Sequence, residues 1–426
     1  MTPDRARRHV AVVCLPLLTA GLLAACGSDG GNSAGARTTT TTSTTRAAVT
    51  TTPTAAAAKT TAAATTSAAA LDGQSITSTT GAAQVCSNAM APRTDLTSAG
   101  APLPARGQAV LPRPFSESSP WNTPADGRAV DPRSAAWIRS ASRRVAVVAA
   151  ANQRSVSTAQ RKARDLRLYV NTCAWTPAIV GAKGGEQVRL VCRQRNCGPV
   201  AKEVKTLRVA PGIEPFPEFD GWYSVIDQSA GVGYDMWRAR RVGNVISYQF
   251  IKRWRLDGPG FSPPATEDPI TAVGARGSGL PLFAGVIQPD ELRQGRIEHA
   301  LAISVPGAAQ RIFVQPASVT NGNNVIGSLP EGARMRLKSA YRTRKLPGGA
   351  NRRSAEAIIT ALRTYGAIVV DRSITPALYA RRSSDYGGLL VGNELQNIHL
   401  SDLEVVQAGP LLRFPPLEST KEEVQG

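Results

Sequence analysis

The sequence predicts a mainly β fold, an antiparallel sandwich or jelly-roll-like domain with a few peripheral helices. Most segments with a regular pattern are short, rich in β-branched and aromatic residues, and bounded by Gly, Pro, Asn or Asp. No internal repeat is visible, and the glycine-rich stretch GARGSG at 274–279 lacks the helix and lysine of a phosphate loop. We therefore expect 274–279 to be a flexible loop on a β-rich body.

The first elements of the domain are expected to be an extended segment and a helix. Prolines at 120 and 124 disfavour the helical region for the residues before them, so SPWNTP at 119–124 is expected to be extended. Asp131-Pro132 then provides a helix start, followed by alanines and Ile138 on one side. The strands predicted next are VRLVC, GWYSVID, GYDMWRARR, NVISYQFIKRWRLDG and RIEHALAISV, with a hairpin loop at 227–233.

Two helical segments and one strand complete the predicted elements. Residues 290–295 have the pattern of one capped helical turn directly before the RIEHALAISV strand. In SAEAIITALRTYG, Ser354 is the expected N-cap, Ile358 and Leu362 lie on an apolar stripe, and Gly366 marks the C-terminal end. AIVVDRS then has the continuous apolar run of a buried strand.

The N-terminal residues have the features of an export signal. Three arginines precede an apolar run at 10–23 that is too short to span a membrane comfortably. This run ends in Leu-Ala-Ala-Cys, which resembles the lipobox of bacterial lipoproteins. Residues 1–25 are therefore expected to be a lipoprotein signal peptide, and Cys26 is expected to anchor the chain to the outer face of the cytoplasmic membrane. An ordinary signal peptide with a chance cysteine is the alternative.

Composition divides the rest of the chain into a tether and a domain. Residues 26–84 are dominated by Thr, Ala and Ser, and they contain too little apolar surface to offset the entropy of ordering them. We expect this segment to be a disordered tether. Residues 85–426 are long enough for one large domain or two moderate ones, and they contain no apolar run of membrane length. We expect them to form a single β-rich extracellular domain.

The formal net charge of +19 favours anionic partners. The partners expected are wall polysaccharides, whether anionic or neutral, and the membrane through the lipid at Cys26. A generic solubilising role for the arginines is the alternative. Nucleic acid is not expected as a partner, because the chain is predicted to be exported and carries no nucleic-acid motif.

Four cysteines remain after the signal and the lipid site, namely Cys86, Cys173, Cys192 and Cys197. An even number in an exported chain favours two disulfides. CRQRNC can close a small loop between Cys192 and Cys197, which would leave Cys86 for Cys173, although other pairings stay open. A metal site is the competing interpretation, but no CxxC pair or paired histidines support it, so no metal or cofactor is expected.

Several landmarks together resemble a family of exported bacterial proteins that is common in actinobacteria. They are SPWNTP, YDMW, GSGLPLFAGVIQPDELRQGRIEHALAI, QPAS…NG, LPEGARMRL and TYGAIVVD, and they extend over about 114–406. The block from Gly-Leu-Pro to His-Ala-Leu is the most specific of them. The resemblance implies one extracellular β-rich domain, of a kind often associated with polysaccharide or the cell wall. It implies no catalytic residues.

Three residues are candidates for catalysis. Alternation along RIEHALAISV places His299 on the apolar face, where it is either a core residue or a general acid or base lining a cleft. Asp235 shares a strand face with Trp237, which suits sugar recognition, although pairing with a nearby arginine is the alternative. Asp371 follows AIVV at a strand end, where it projects into a cleft or caps a turn. Asp227 is a weaker candidate, since a turn suits it better.

The candidates for substrate binding are Trp121, Asn122, Trp237 and Arg238, with Trp222 and Tyr223 as further possibilities. Two functions follow from these residues. One is a glycosidase with two facing carboxylates, or a lyase with His299 as base, acting on envelope polysaccharide. The other is a non-catalytic polysaccharide-binding or scaffold lipoprotein. Convergence of His299 with two acids in an open groove would favour the enzyme, and a sealed His299 would favour the binding protein.

Overall fold

The structure is a computed structural model that describes residues 111, 113–152, 166–172, 174–346, 351–382, 386 and 388–414. These residues belong to one compact unit of the chain. The predicted signal peptide at 1–25, the lipid site at Cys26, the tether at 26–84, Cys86 and Cys173 lie outside the described residues.

Strands dominate the described part of the chain, which confirms the mainly β class. The strands are β1 (Tyr169–Asn171), β2 (Ala178–Gly181), β3 (Glu186–Cys192), β4 (Thr206–Val209), β5 (Tyr223–Asp227), β6 (Val232–Trp237), β7 (Arg240–Val242), β8 (Val245–Tyr248), β9 (Phe250–Arg255), β10 (Leu301–Val305), β11 (Ile312–Phe313), β12 (Arg334–Leu337), β13 (Ala367–Arg372), β14 (Ala377–Tyr379), β15 (Leu403–Val405) and β16 (Leu412–Arg413). The helices are α1 (Ser134–Asn152), α2 (Pro269–Ala272), α3 (Pro289–Gln294) and α4 (Arg352–Thr364), with 3-10 turns at Pro217–Phe219 and Leu400–Asp402. None of these helices is both long and apolar enough to cross a membrane.

The strands form three larger sheets and one small pair. Sheet A has the order β1-β14-β10-β13-β12-β15, sheet B the order β2-β5-β6-β9, and sheet C the order β4-β3-β8-β7, while β11 pairs with β16. Most pairs are antiparallel, but β1–β14, β10–β13, β2–β5 and β3–β8 are parallel. The sheets are therefore mixed, with the predominance of antiparallel pairs that the short punctuated strands predict.

Successive side chains along the strands of sheets A and B point into different hydrophobic cores, and this alternation shows the order in which the layers are stacked. In β10 of sheet A, Leu301 and Ile303 pack with helices α1 and α4, whereas Ala302 joins the core shared with sheet B. In β5 of sheet B, Ile226 faces that shared core, whereas Val225 packs towards sheet C. The layers therefore run from helices through sheet A and sheet B to sheet C, with a hydrophobic core between each pair.

A buried irregular segment, residues 272–289, lies between sheets A and B. All of its residues are buried, although it contains only the end of α2 and the start of α3 as regular structure. It reaches sheet A through Ala302 N, which donates to Gly285 O at 2.8 Å, and sheet B through Leu282 N, which donates to Asp235 Oδ2 at 2.7 Å. The prediction of a flexible loop at 274–279 is therefore wrong, because these hydrogen bonds fix the segment inside the core.

Local predictions hold where the signal lies within a few residues. Helix α3 ends at Gly295, whose φ of 72° is left-handed, as expected for a capped turn. Asp227 accepts from Ser229 Oγ and Ala230 N in the predicted hairpin loop. The Cys192–Cys197 disulfide forms as expected.

Three local predictions need correction. Residues 119–124 form turns rather than an extended segment, because Ser119 O accepts from both Asn122 N and Thr123 N. Helix α4 begins at Arg352 with Asn351 as its N-cap, and Ser354 is the residue whose backbone N donates to that cap. Strand β10 begins at Leu301, so His299 lies before the strand and not on its apolar face.

Candidate functional site

His299 is held in the turn between α3 and β10 and is 8 % exposed. Its Nε2 lies 2.8 Å from Glu291 Oε1 on α3, and its Nδ1 lies 2.9 Å from Ala300 O. Burial alone would lower the pKa of His299, but the Glu291 carboxylate and the hydrogen bonds outweigh that effect and raise it. The imidazole therefore has two fixed partners within the protein.

The cavity beside His299 is too small for a sugar. Trp121, Asn122 and Phe283 line it, and its volume of about 10 Å³ is room for about one water molecule. The structure thus places His299 beside a small, mostly apolar cavity at the edge of a core. An acid or base acting on a polysaccharide needs an open cleft, which this position does not provide.

Asp235 lies on β6 in the centre of the molecule and binds three donors. Ser224 Oγ donates to it at 2.5 Å, Trp254 Nε1 at 2.9 Å and Leu282 N at 2.7 Å. Burial raises the pKa of Asp235 to about 6, although these hydrogen bonds oppose the rise. The pairing with Arg238, Arg240 or Arg241 that the sequence suggested does not occur, because the carboxylate faces the core between sheets A and B.

Two buried cations bind the same irregular segment. Lys252, opposite Asp235 in the sheet, donates from Nζ to Ser262 Oγ at 2.8 Å, to Thr271 O at 2.5 Å and to Val273 O at 3.2 Å. Burial lowers the pKa of Lys252 to about 7. The Arg276 guanidinium donates to the carbonyl oxygens of Pro281, Leu282 and Ala284 at 2.9–3.2 Å. These charged groups replace water around buried peptide groups.

Asp371 lies near the end of β13 and is 8 % exposed. It accepts from Asn321 Nδ2 and Arg372 N, both at 2.9 Å, and from Gly277 N at 3.3 Å. Its backbone partners are thus Arg372 within β13 and the distant Gly277, whereas the sequence suggested a cleft or a cap on the following turn. It also fixes the glycine-rich stretch of the buried segment to sheet A.

Glu331 forms a carboxylate pair with Asp371 that the sequence analysis missed. Asn321 links the two side chains, since its backbone N donates to Glu331 Oε2 at 3.2 Å while its amide donates to Asp371. Glu331 is fully buried, and burial together with the Asp371 charge raises its pKa to about 8. The sequence feature that could have identified Glu331 is a lone acid between Pro330 and Gly332 in LPEGARMRL, just before a strand.

The residues expected to bind sugar lie in two different environments. Trp121 is 1 % exposed and donates from Nε1 to Gly260 O, so its ring offers no face for stacking. Asn122 is also buried, and its side-chain amide donates to three backbone carbonyl oxygens. Trp237 is half-buried, and the guanidinium of half-buried Arg238 covers its ring at 4.5 Å. Trp222 and Tyr223 are buried core residues.

The three catalytic candidates thus lie in separate clusters. His299 pairs with Glu291, Asp235 binds Ser224 and Trp254, and Asp371 binds Asn321. Within the described ranges, no group of three or more His, Cys, Asp or Glu side chains is placed to hold a metal ion.

Two larger cavities flank the strap, which we define as residues 338–346 between β12 and the start of α4. One has a volume of about 400 Å³ and the other about 330 Å³, within the range of small-molecule sites. The cations that line them are Lys338, Arg342, Arg344, Lys345 and Arg167, and we call this set the basic groove. The carboxylate among the lining residues is Asp402.

Backbone contacts hold the strap in place along its length. Lys338 N donates to Asp402 O at 3.0 Å, and Tyr341 O accepts from Arg363 of α4 at 3.0 Å. Near its other end, the side chain of Asn397 donates to Lys345 O. The basic groove also escaped the sequence analysis, although four cations within KSAYRTRK were a visible signal.

No protein-family model, curated protein or solved structure matches this chain. The resemblance to exported actinobacterial-type proteins therefore remains an expectation from its landmarks. The chemistry of the site has to be argued from its own residues.

Proposed function

We propose that this chain is a surface-tethered protein that binds cell-envelope polysaccharide and does not cleave it. The observation that carries the proposal is the separation of His299, Asp235 and Asp371 into buried clusters, away from the two cavities large enough for a sugar. A glycosidase needs two carboxyl groups on either side of the scissile bond, and a lyase needs a base that reaches the sugar. Neither requirement is met by these residues.

The predicted lipid at Cys26 and tether at 26–84 support the same proposal. An anchored chain with a flexible tether holds its domain at a distance from the membrane, among the wall polymers. A binding protein needs this location and a surface for the polymer, and it needs no reactive group. The positive net charge of the chain favours polymers that carry negative charge.

One observation favours a hydrolase as a second candidate function. Burial and the neighbouring Asp371 carboxylate raise the pKa of Glu331 to about 8, so Glu331 retains its proton near neutral pH beside a second carboxyl group, as the acid of a glycosidase does. Against this candidate, Glu331 is fully buried, so substrate would reach it only after the chain around Asn321 moved. The two candidates make opposite predictions for product formation.

The test incubates the purified full-length chain with a panel of envelope polysaccharides. Co-sedimentation measures bound polymer, while reducing ends and unsaturated-product absorbance measure cleavage. We expect polymer to be retained without product, both in the parent and in Glu331→Gln and Asp371→Asn variants whose fold is checked by circular dichroism. Product that is formed by the parent and lost in these variants would establish the hydrolase instead. A parent that neither retains nor cleaves any polymer would refute both candidates.

A further inference from the structure

We infer that the basic groove is the polymer site and that its ligand is a polyanion, a glycan or polyol chain that carries carboxylate or phosphate groups. This inference rests on the proposed binding function and adds to it the place and the chemical class of the ligand. Residues Lys338, Arg342 and Arg344 line one cavity, and Arg167 and Lys345 line the adjoining one. A chain lying across the strap would meet cations in both cavities.

Within the part of the chain that the structure describes, the groove cations form no ion pair with a carboxylate. Lys338 Nζ donates to Ser401 O at 2.7 Å, Arg344 to Asn397 O at 3.1 Å, and Arg342 to Ser339 O at 3.3 Å. Carbonyl oxygens orient a cation without cancelling its charge. The nearby Asp402 accepts from His399 N at 2.9 Å and lies 3.6 Å from His399 Nδ1. The groove therefore attracts anions at its surface.

Near sheet C, Arg241 pairs with Glu186 and with Glu214, and Arg253 lies 3.5 Å from Glu203. Other cations of that region, such as Arg189 and Arg208, are exposed and add to the net charge, but they line neither of the two cavities at the strap. At the strap, several cations line concave surfaces that are large enough for a ligand, and this combination favours the basic groove as the site for an anionic polymer.

The groove is also ordered in advance of binding. A backbone hydrogen bond from Lys338 N to Asp402 O fixes the strap to the 3-10 turn at Leu400–Asp402, and the Arg363 side chain of α4 donates to Tyr341 O, so the cations of the strap project from a fixed backbone. The guanidinium of Arg344 stacks 5.7 Å from the ring centroid of Tyr341, which is itself buried. A site with a fixed backbone loses less entropy on binding than a mobile loop does.

The test compares two triple charge reversals in the full-length chain. Arg342→Glu, Arg344→Glu and Lys345→Glu together alter the basic groove. Lys202→Glu, Arg189→Glu and Arg208→Glu make the same change of net charge at exposed positions elsewhere. The probes are polygalacturonate, poly(glycerol phosphate), neutral dextran and vesicles of anionic phospholipid, and the readouts are the Kd and its dependence on salt.

We expect the parent to bind at least one of the two polyanions, with an affinity that falls as salt is raised. The groove variant should bind about tenfold or more weakly, and the control variant within about twofold of the parent. The polyanion that binds identifies carboxylate or phosphate as the recognised group. Equal binding by the groove variant, equal binding of dextran, or preference for vesicles would overturn the inference while leaving a binding function in place. Failure of the parent to retain any polymer would overturn the proposed function as well.

Discussion

Asp235, Lys252 and Arg276 lie in the centre of the molecule, where an ionised group loses its hydration and has to be stabilised by protein atoms. All three find that stabilisation in peptide groups of the buried irregular segment or its immediate neighbours. The charged side chains stabilise the peptide groups in return, because buried peptide groups outside helices and sheets also need hydrogen-bond partners. These three buried charged groups are therefore explained in part by the backbone groups that they satisfy.

Glu331 leads to a prediction for pH dependence. Its pKa is raised from 4.5 to about 8 by burial and by Asp371, so the folded state binds a proton that the unfolded state releases. The contribution of Glu331 to stability should therefore fall as the pH rises from about 4.5 towards about 8 and level off above that. The loss is on the order of 1.4 kcal/mol for each pH unit in this window. The Glu331→Gln variant cannot ionise at this position and should lack this part of the loss.

The measurement is the free energy of unfolding against pH for the parent and for Glu331→Gln, with exposed Glu356→Gln as control. Asp235 adds a similar trend up to its own pKa of about 6 and Lys252 adds an opposite trend above about 7, so it is the difference between the profiles of the parent and Glu331→Gln that reports on Glu331. Identical profiles for the parent and Glu331→Gln would show that Glu331 is ionised in the folded protein.

For individual residues, the sequence predicted which side chains were worth considering better than it predicted the atoms that they contact. Alternation and a nearby acid were visible around His299, but its contact with Glu291 depends on the chain reversing at Gly295. Asp235 was correctly assigned to a strand face with Trp237, yet its donors come from β5, β9 and the buried segment. Such partners lie far apart in the chain, so no local pattern encodes them.

Among the elements, the buried irregular segment is the one that the sequence analysis misjudged most. Glycine and serine at 274–279 indicate flexibility when a segment is exposed, and here they allow close approach instead. A Cβ at Gly277 would lie 2.2 Å from the Asn321 side chain, and a Cβ at Gly285 would lie 2.5 Å from Ala302 N. By contrast, α3, the hairpin at 227–231 and the small disulfide loop were predictable, because their determinants lie within a few residues.

Gly285 offers a matched test of this packing. Its φ is 66°, and that of Gly231 in the exposed hairpin loop is 65°, but a Cβ at Gly231 would meet nothing within 4 Å. Both alanine variants impose the left-handed strain of about 1–2 kcal/mol. Gly285→Ala should lose about 1–3 kcal/mol more, because the methyl group meets backbone of β10 and the Trp121 ring.

Chemical denaturation of the two alanine variants measures this difference directly. A loss for Gly285→Ala no larger than that for Gly231→Ala would mean that the segment yields to the added methyl group. The segment would then be less tightly held than its hydrogen bonds indicate.

On the scale of the whole molecule, sheet B joins sheet A to sheet C. One of its faces packs against the core shared with sheet A and the buried segment, and the other packs against sheet C. Its parallel pair β2–β5 joins strands well separated in the chain, as does β3–β8 in sheet C. Sequence patterns identify strands but not such long-range pairings, and for this reason the mainly β class was predictable while the layer order was not.

This arrangement predicts that the layers unfold together. Met236 on β6 is fully buried in the core between sheets B and C, so Met236→Ala should cost about 2–5 kcal/mol. Tryptophan fluorescence reports on the other core, which contains Trp121, Trp222 and Trp254. We expect the midpoints by fluorescence and by far-UV circular dichroism to fall equally, whereas exposed Val242→Ala should leave both unchanged. A fluorescence midpoint that stays at the parent's value would show that the layers unfold independently.

The buried irregular segment has a practical consequence for anyone who redesigns this protein. Irregular stretches are usually where tags are inserted, domains are split or chains are shortened, since such changes are best tolerated at exposed backbone. Residues 272–289 would attract such a cut because they contain little helix or strand, but their removal would take out the layer that joins sheets A and B. The hairpin turns around Gly231 and Gly243, where added atoms meet no neighbours, are the positions that can accept an insertion.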